Sequence, residues 1–94
     1  MITAIVLVST EVDTIPEAAA AIADLDGVTE VYSVTGDADL IAIVRVRAHD
    51  ELADVIADRL SKVPGVLATT THIAFRTYSR HDLEAAFSLG LEGD

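Results

Sequence analysis

Thr35-Gly36-Asp37-Ala38-Asp39 places a glycine beside a hydroxyl and two carboxylates. Glycine takes positive φ without steric cost, and aspartate bonds nearby backbone, so this string should turn sharply between strands. It also carries chemistry. A turn at Gly36 leaves backbone N–H groups open, and Asp37 and Asp39 set carboxylates beside them. Such a patch can meet both ends of a free amino acid, N–H groups taking the carboxylate and acid taking the ammonium. The structural alternative is a well-made hairpin in which both aspartates cap backbone amides.

A second source of polar chemistry is the run from Val66 to Tyr78. By strand alternation Val66, Ala68, Thr70, His72, Ala74, Arg76 and Tyr78 share one face, and Leu67, Thr69, Thr71, Ile73 and Phe75 the other. The Thr70 and Thr71 hydroxyls suit a small polar ligand, although threonine is also an ordinary strand former. His49, His72 and His81 match no compact metal motif. Catalytic groups are sparse. There is no cysteine, no Ser-His-Asp order with a nucleophile elbow and no phosphate loop. An Asp37/Asp39 acid–base pair would need a shaped cavity and a perturbed pKa.

The elements that must position these residues are legible. Ile2 to Val8 reads as a strand. Thr14-Ile15-Pro16-Glu17 reads as a capping box opening a helix with apolar positions at Ile15, Ala18, Ala19, Ile22 and Leu25, closed by Asp26-Gly27. Val28 to Val46 reads as a hairpin around the acidic turn. Asp50 can cap a second helix with an apolar stripe at Leu52, Val55, Ile56 and Leu60, stopped by Pro64-Gly65. Val66 to Tyr78 forms the last strand, and a short amphipathic helix is expected over 79–90. Leu25-Asp26-Gly27-Val28 echoes Val63-Pro64-Gly65-Val66, a repeat of 38 residues (65 − 27). Two βαβ halves of this size imply an α+β, ferredoxin-like βαββαβ sandwich with an antiparallel sheet. Residues 1–94 are expected to form one domain, with its core over 2–78.

Composition bounds the function. The 94 residues carry 16 acids against 6 bases, a net charge of −10, which repels a polyanion and argues against direct nucleic-acid binding. No segment approaches the roughly 20 apolar residues of a membrane helix, and no signal peptide is evident; a cytoplasmic location fits. Both faces of the central strands are apolar: Ile2, Ala4, Val6 and Val8 against Ile5 and Leu7, then Leu40, Ala42, Val44 and Val46 against Ile41 and Ile43. Helices can cover only one face, so the other should form an interface between copies or be covered by the C-terminal helix.

The turn, the Gly27-Val28 and Pro64-Gly65-Val66 junctions, and the Thr69-Thr70-Thr71-His72-Ile73 strand together resemble the effector (RAM) domain of the Lrp/AsnC family of feast/famine regulators, over roughly residues 2 to 78. Regulators of that type normally carry a helix-turn-helix domain first; here the first strand begins at Ile2, so the chain resembles a stand-alone effector domain. The resemblance implies a small effector, an amino acid, bound between neighbouring dimers. One wall would be Thr35, Gly36, Asp37, Asp39 and Leu40, the other Thr70, His72 and Ala74. It implies homodimers assembling to octamers or decamers, full-length regulators as partners, no cofactor and no catalysis. Other readings stand beside it: a cofactorless oxygenase or isomerase using His72 or Tyr32, or a structural assembly module. An ACT-like domain fits less well, since Ser9 to Thr14 lacks that family's glycine.

Overall fold

The computed structural model describes residues 1–80. Four strands, β1 (Ile2–Thr10), β2 (Val28–Ser33), β3 (Leu40–Val46) and β4 (Val66–Ile73), form one sheet in the order β2-β3-β1-β4. Every neighbouring pair is antiparallel. α1 (Ile15–Ala23) crosses from β1 to β2, and α2 (His49–Ala53) begins the crossover from β3 to β4. This is the ferredoxin-like α+β sandwich implied by the sequence.

Strand alternation decides the core. Ala4, Val6 and Val8 of β1 and Leu40, Ala42 and Val44 of β3 are fully buried, and they pack under Ala18 and Ile22 of α1 and Leu52, Val55 and Leu60 beyond β3. The opposite face of the same strands carries Ile5, Leu7, Ile41 and Ile43, and nothing among the described residues covers it as the helices cover the first.

Several local expectations need correction. Thr14 does not close a capping box: its hydroxyl donates to the Glu11 carbonyl at 3.0 Å, because a 3-10 turn (Val12–Thr14) precedes the helix. The second helix starts one residue before Asp50, with Ala48 as its cap, and Glu51 reaches back to accept from the Arg47 amide at 3.3 Å. After α2 the winding loosens to a π-helical segment, Asp54–Arg59, and tightens to a 3-10 turn, Leu60–Lys62. The Ser61 hydroxyl conforms to that winding and bonds the Ile56 carbonyl, five residues back, at 2.8 Å. The last strand ends at Ile73 rather than Tyr78. A bulge skips Leu67, so Thr10 pairs with Val66 while Ser9 pairs with Ala68, and Val66 joins the core face instead of the face of Ala68. The expected C-terminal helix falls, beyond Arg80, outside the described residues.

The internal repeat survives in three dimensions. Gly27 and Gly65 hold φ of 94° and 93° at equivalent helix–strand junctions. Their carbonyls accept from Arg45 and Glu11 amides at 2.8 and 2.9 Å. A Cβ at Gly65 would lie 2.4 Å from Thr14 Oγ1, whereas one at Gly36 would meet nothing within 4 Å. Both positions disfavour a side chain through φ alone, at about 1–3 kcal/mol; only Gly65 adds a collision. Gly65→Ala should therefore lower the unfolding free energy in urea titrations by more than Gly36→Ala. Equal losses would show that the Thr14 contact relaxes freely.

Candidate functional site

The acidic turn sits where the ends of β1 and β4 approach the β2–β3 connection. Its base is fixed by backbone bonds: the Val34 amide donates to the Asp39 carbonyl at 3.1 Å, and the Asp39 amide to the Val8 carbonyl at 2.9 Å. Between them, the amides of Thr35, Gly36, Asp37 and Ala38 donate to no group among the described residues. Gly36 has φ of 109°. Successive free amides in a turn are the kind of backbone donors that hold anions.

The two aspartates part company. Asp39 is half-buried, and its Oδ2 accepts the Thr10 amide at 2.8 Å, across 29 residues of sequence. Thr10 is only 4% exposed and its hydroxyl has no partner among the described residues. Asp39 thus ties the end of β1 to the turn. Asp37 is exposed and opens into a depression of about 230 Å³ lined by Leu7, Ser9, Ala38, Ala68 and Thr70. The β1–β4 register brings these together, since Leu7 pairs with Thr70 and Ser9 with Ala68.

The expected ligand residues are therefore not one cluster in a single chain. Asp37 and Thr70 meet in the depression, beside the exposed Thr35 and Gly36. Leu40 has no exposed surface and belongs to the core. His72 pairs with Ile5 near mid-sheet, and the Ala74 amide donates to the Thr3 carbonyl at 2.9 Å, toward the far end. Four residue steps along extended chain separate Thr70 from Ala74, about 13 Å. Sequence reasoning missed Leu7, Ser9, Ala38 and Ala68. Ala38 stands in the turn itself, and the β1–β4 register places Leu7, Ser9 and Ala68 beside it.

On the uncovered face Tyr32 pairs with Ile41, and its hydroxyl donates to Glu30 Oε2 at 2.6 Å. That hydrogen bond, more than desolvation or the nearby negative charge, raises the Tyr32 pKa above its ordinary value, although Arg45 pulls it down. A phenol held protonated is a poorer base at neutral pH. Tyr32 and His72 also stand on opposite edge strands, three strand spacings apart, about 14 Å. They cannot share one proton-transfer step within a single chain.

Residues 3–83 match the family model of the Lrp/AsnC ligand binding domain. The HTH-type transcriptional regulator FL11 of Pyrococcus horikoshii is 32% identical over 75 residues, 80% of this chain and 49% of that one. The crystal structure of TTHA0845 from Thermus thermophilus is 45% identical, with a TM-score of 0.80, covering 85% of this chain and all of that one. A Neisseria meningitidis regulator, NMB0573, solved as an L-Met complex, shares the fold at 17% identity, with a TM-score of 0.76 over 84% of this chain and 53% of that one. The fold and the matched span define a ligand-binding domain. The chain belongs to the Lrp/AsnC family, and it spans about half the length of the curated relatives it matches.

The Asp39 bond yields a stability test. Asp39→Ala leaves the Thr10 amide without its acceptor, a loss of about 1–3 kcal/mol. Asp37 is exposed and its side chain bonds no group among the described residues, so Asp37→Ala should change stability by less than about 0.5 kcal/mol. Chemical denaturation of both variants measures the difference, and equal effects would remove Asp39 from its bracing role.

Proposed function

We propose that this domain is a non-enzymatic sensor of a small effector, a free amino acid, taken up at the acidic turn. The observation that carries the reading is the run of four unpartnered amides, Thr35 to Ala38, beside the exposed Asp37 carboxylate and the Thr70 strand. The amides suit the α-carboxylate, Asp37 the α-ammonium, and Leu7, Ser9 and Ala68 the side chain. At about 230 Å³ the depression is smaller than the roughly 300–1,000 Å³ typical of small-molecule sites. A wall from another copy would complete it. His72 and Ala74, expected in the site yet distant from the turn in one chain, can enter it from such a neighbour.

Assembly follows from the sheet. Ile5, Leu7, Ile41 and Ile43 form an apolar centre on the uncovered face, rimmed by Glu30, Tyr32, Arg45, Thr70 and His72. Stacking two sheets buries that centre and gives a homodimer, and dimers associate through the turns into octamers or decamers. An effector at the contact between dimers favours the assembly that builds its site. Full-length regulators of the same family are the partners that carry this signal to DNA in the cytoplasm. The chain's own charge of −10 disfavours direct contact with phosphates.

Two measurements test this. A thermal-shift screen against the proteinogenic amino acids should single out one or a few. At a concentration of about 100 Kd the stabilisation is about 2.7 kcal/mol, a rise on the order of 10 °C for so small a domain. Asp37→Ala should abolish that selectivity, and a wild-type screen that singles out no amino acid sinks the reading. Ile43→Glu places a charge in the stacked sheets, and sedimentation should show monomer where the wild type shows dimer or larger. A wild type that is already monomeric at micromolar concentration overturns the assembly.

A further inference from the structure

A larger cavity lies at the other end of the sheet from the turn. It holds about 330 Å³ and is lined by Arg45, Arg47 and Arg59 together with Asp26, Glu51 and Asp54. Three of the six basic residues of a strongly acidic chain thus share one cleft. None of the three guanidinium groups is ion-paired among the described residues, despite carboxylates on the same walls.

Two features show how the chain builds this arrangement. The first is the 38-residue repeat. Leu7 and Ser9 line the depression at the turn, and the equivalent positions of the second half, Arg45 and Arg47, line the cleft. At these two strand positions the repeat thus exchanges an apolar and a hydroxyl group for guanidiniums, while the remaining walls of the two cavities come from non-equivalent residues. The second is the π-helical winding over Asp54–Arg59. In an α-helix residues five apart point about 140° away from each other. In i→i+5 winding they stack on one side, so both Asp54 and Arg59 reach the cleft. The floor is firm, because a Cβ on Gly27 would already lie 2.9 Å from Val55 Cγ2.

We propose that this cleft is a second small-molecule site, distinct from the turn, that takes a zwitterion bearing a carboxylate and a protonated amine. Guanidiniums offer bidentate geometry to a carboxylate, and the acids Asp26, Glu51 and Asp54 receive an ammonium. A simple anion would gain from the arginines and lose to the acids, and a simple cation the reverse. Only a ligand carrying both signs uses all of the charged groups in the lining. Unlike the turn, which needs a wall from another copy, the cleft is walled by one chain, and it does not depend on the reading of the turn.

Glycine is the probe, because it carries both charges and no side chain. Amide correlation spectra of the 15N-labelled protein should show saturable shifts at Gly27 and Arg47 on adding glycine. Acetate and methylammonium should bind about tenfold or more weakly, the loss of at least one charged hydrogen bond. The exposed pair Arg47→Gln and Arg59→Gln should remove these shifts while leaving any response at Gly36. Asp37→Ala should do the opposite, so that the two sites fail separately. Shifts at Gly27 that grow without saturation, that the single-charge salts reproduce, or that survive the double arginine variant overturn the proposal.

Discussion

The antiparallel ladder between β1 and β3 is the constraint on which everything else depends. It pairs seven residues, from Ile2 with Val46 to Val8 with Leu40. At its centre Ile5 faces Ile43, its own counterpart in the repeat, since 43 − 5 equals the 38 that separates Gly27 from Gly65. A local two-fold axis therefore passes through the middle of the sheet. Pairing about that axis puts Ala4, Val6 and Val8 on the same side as Leu40, Ala42 and Val44, and this gives the helices one continuous apolar surface to cover. A slip of one residue would turn that surface to solvent. The same alternation leaves Ile5, Leu7, Ile41 and Ile43 on the other side, so an apolar second face is a consequence of the ladder and not a separate accident.

The axis also explains why the chemistry collects at two ends. Each half of the chain brings a helix–strand junction and a strand terminus to one end of the sheet. At one end the halves meet in the acidic turn, where Asp39 is drawn into holding β1 and Asp37 is left outward. At the other end, equivalent strand positions carry arginines. A two-fold backbone with different side chains at its two ends gives one small domain two chemically unlike surfaces.

Much of this was legible in the sequence. The strand periods of Ile2 to Val8 and Leu40 to Val46, the Gly36 turn and the echo of Gly27 in Gly65 define the sheet and its pairing, because each depends on local backbone preference. Contacts between residues distant in the chain were hidden. The Thr10 amide that engages Asp39 is 29 residues away. The bulge at Leu67 upset the face of Val66, since a strand's period says nothing about where its partner skips a residue. Arg45, Arg47 and Arg59 form no run, and their convergence needs both the end of β3 and the loosened winding after α2. Thr14 looked like a helix cap by its spacing to Glu17, and the 3-10 turn diverted its hydroxyl to Glu11.

That loosened winding bears on how the chain tolerates changes in length. A π-helical stretch amounts to one residue more than an α-helix needs to cover the same rise. Most surface loops absorb such an insertion without consequence, but here it lies in a crossover whose two ends are pinned by the packing of Leu52 and Leu60. Removing one residue between Asp54 and Arg59 would regularise the helix and leave both anchors in phase, so that the change is confined to the side chains of the segment itself. Length in this segment is therefore a variable that relatives could alter by a single codon, reshaping the surface of the crossover without disturbing the sheet beneath it.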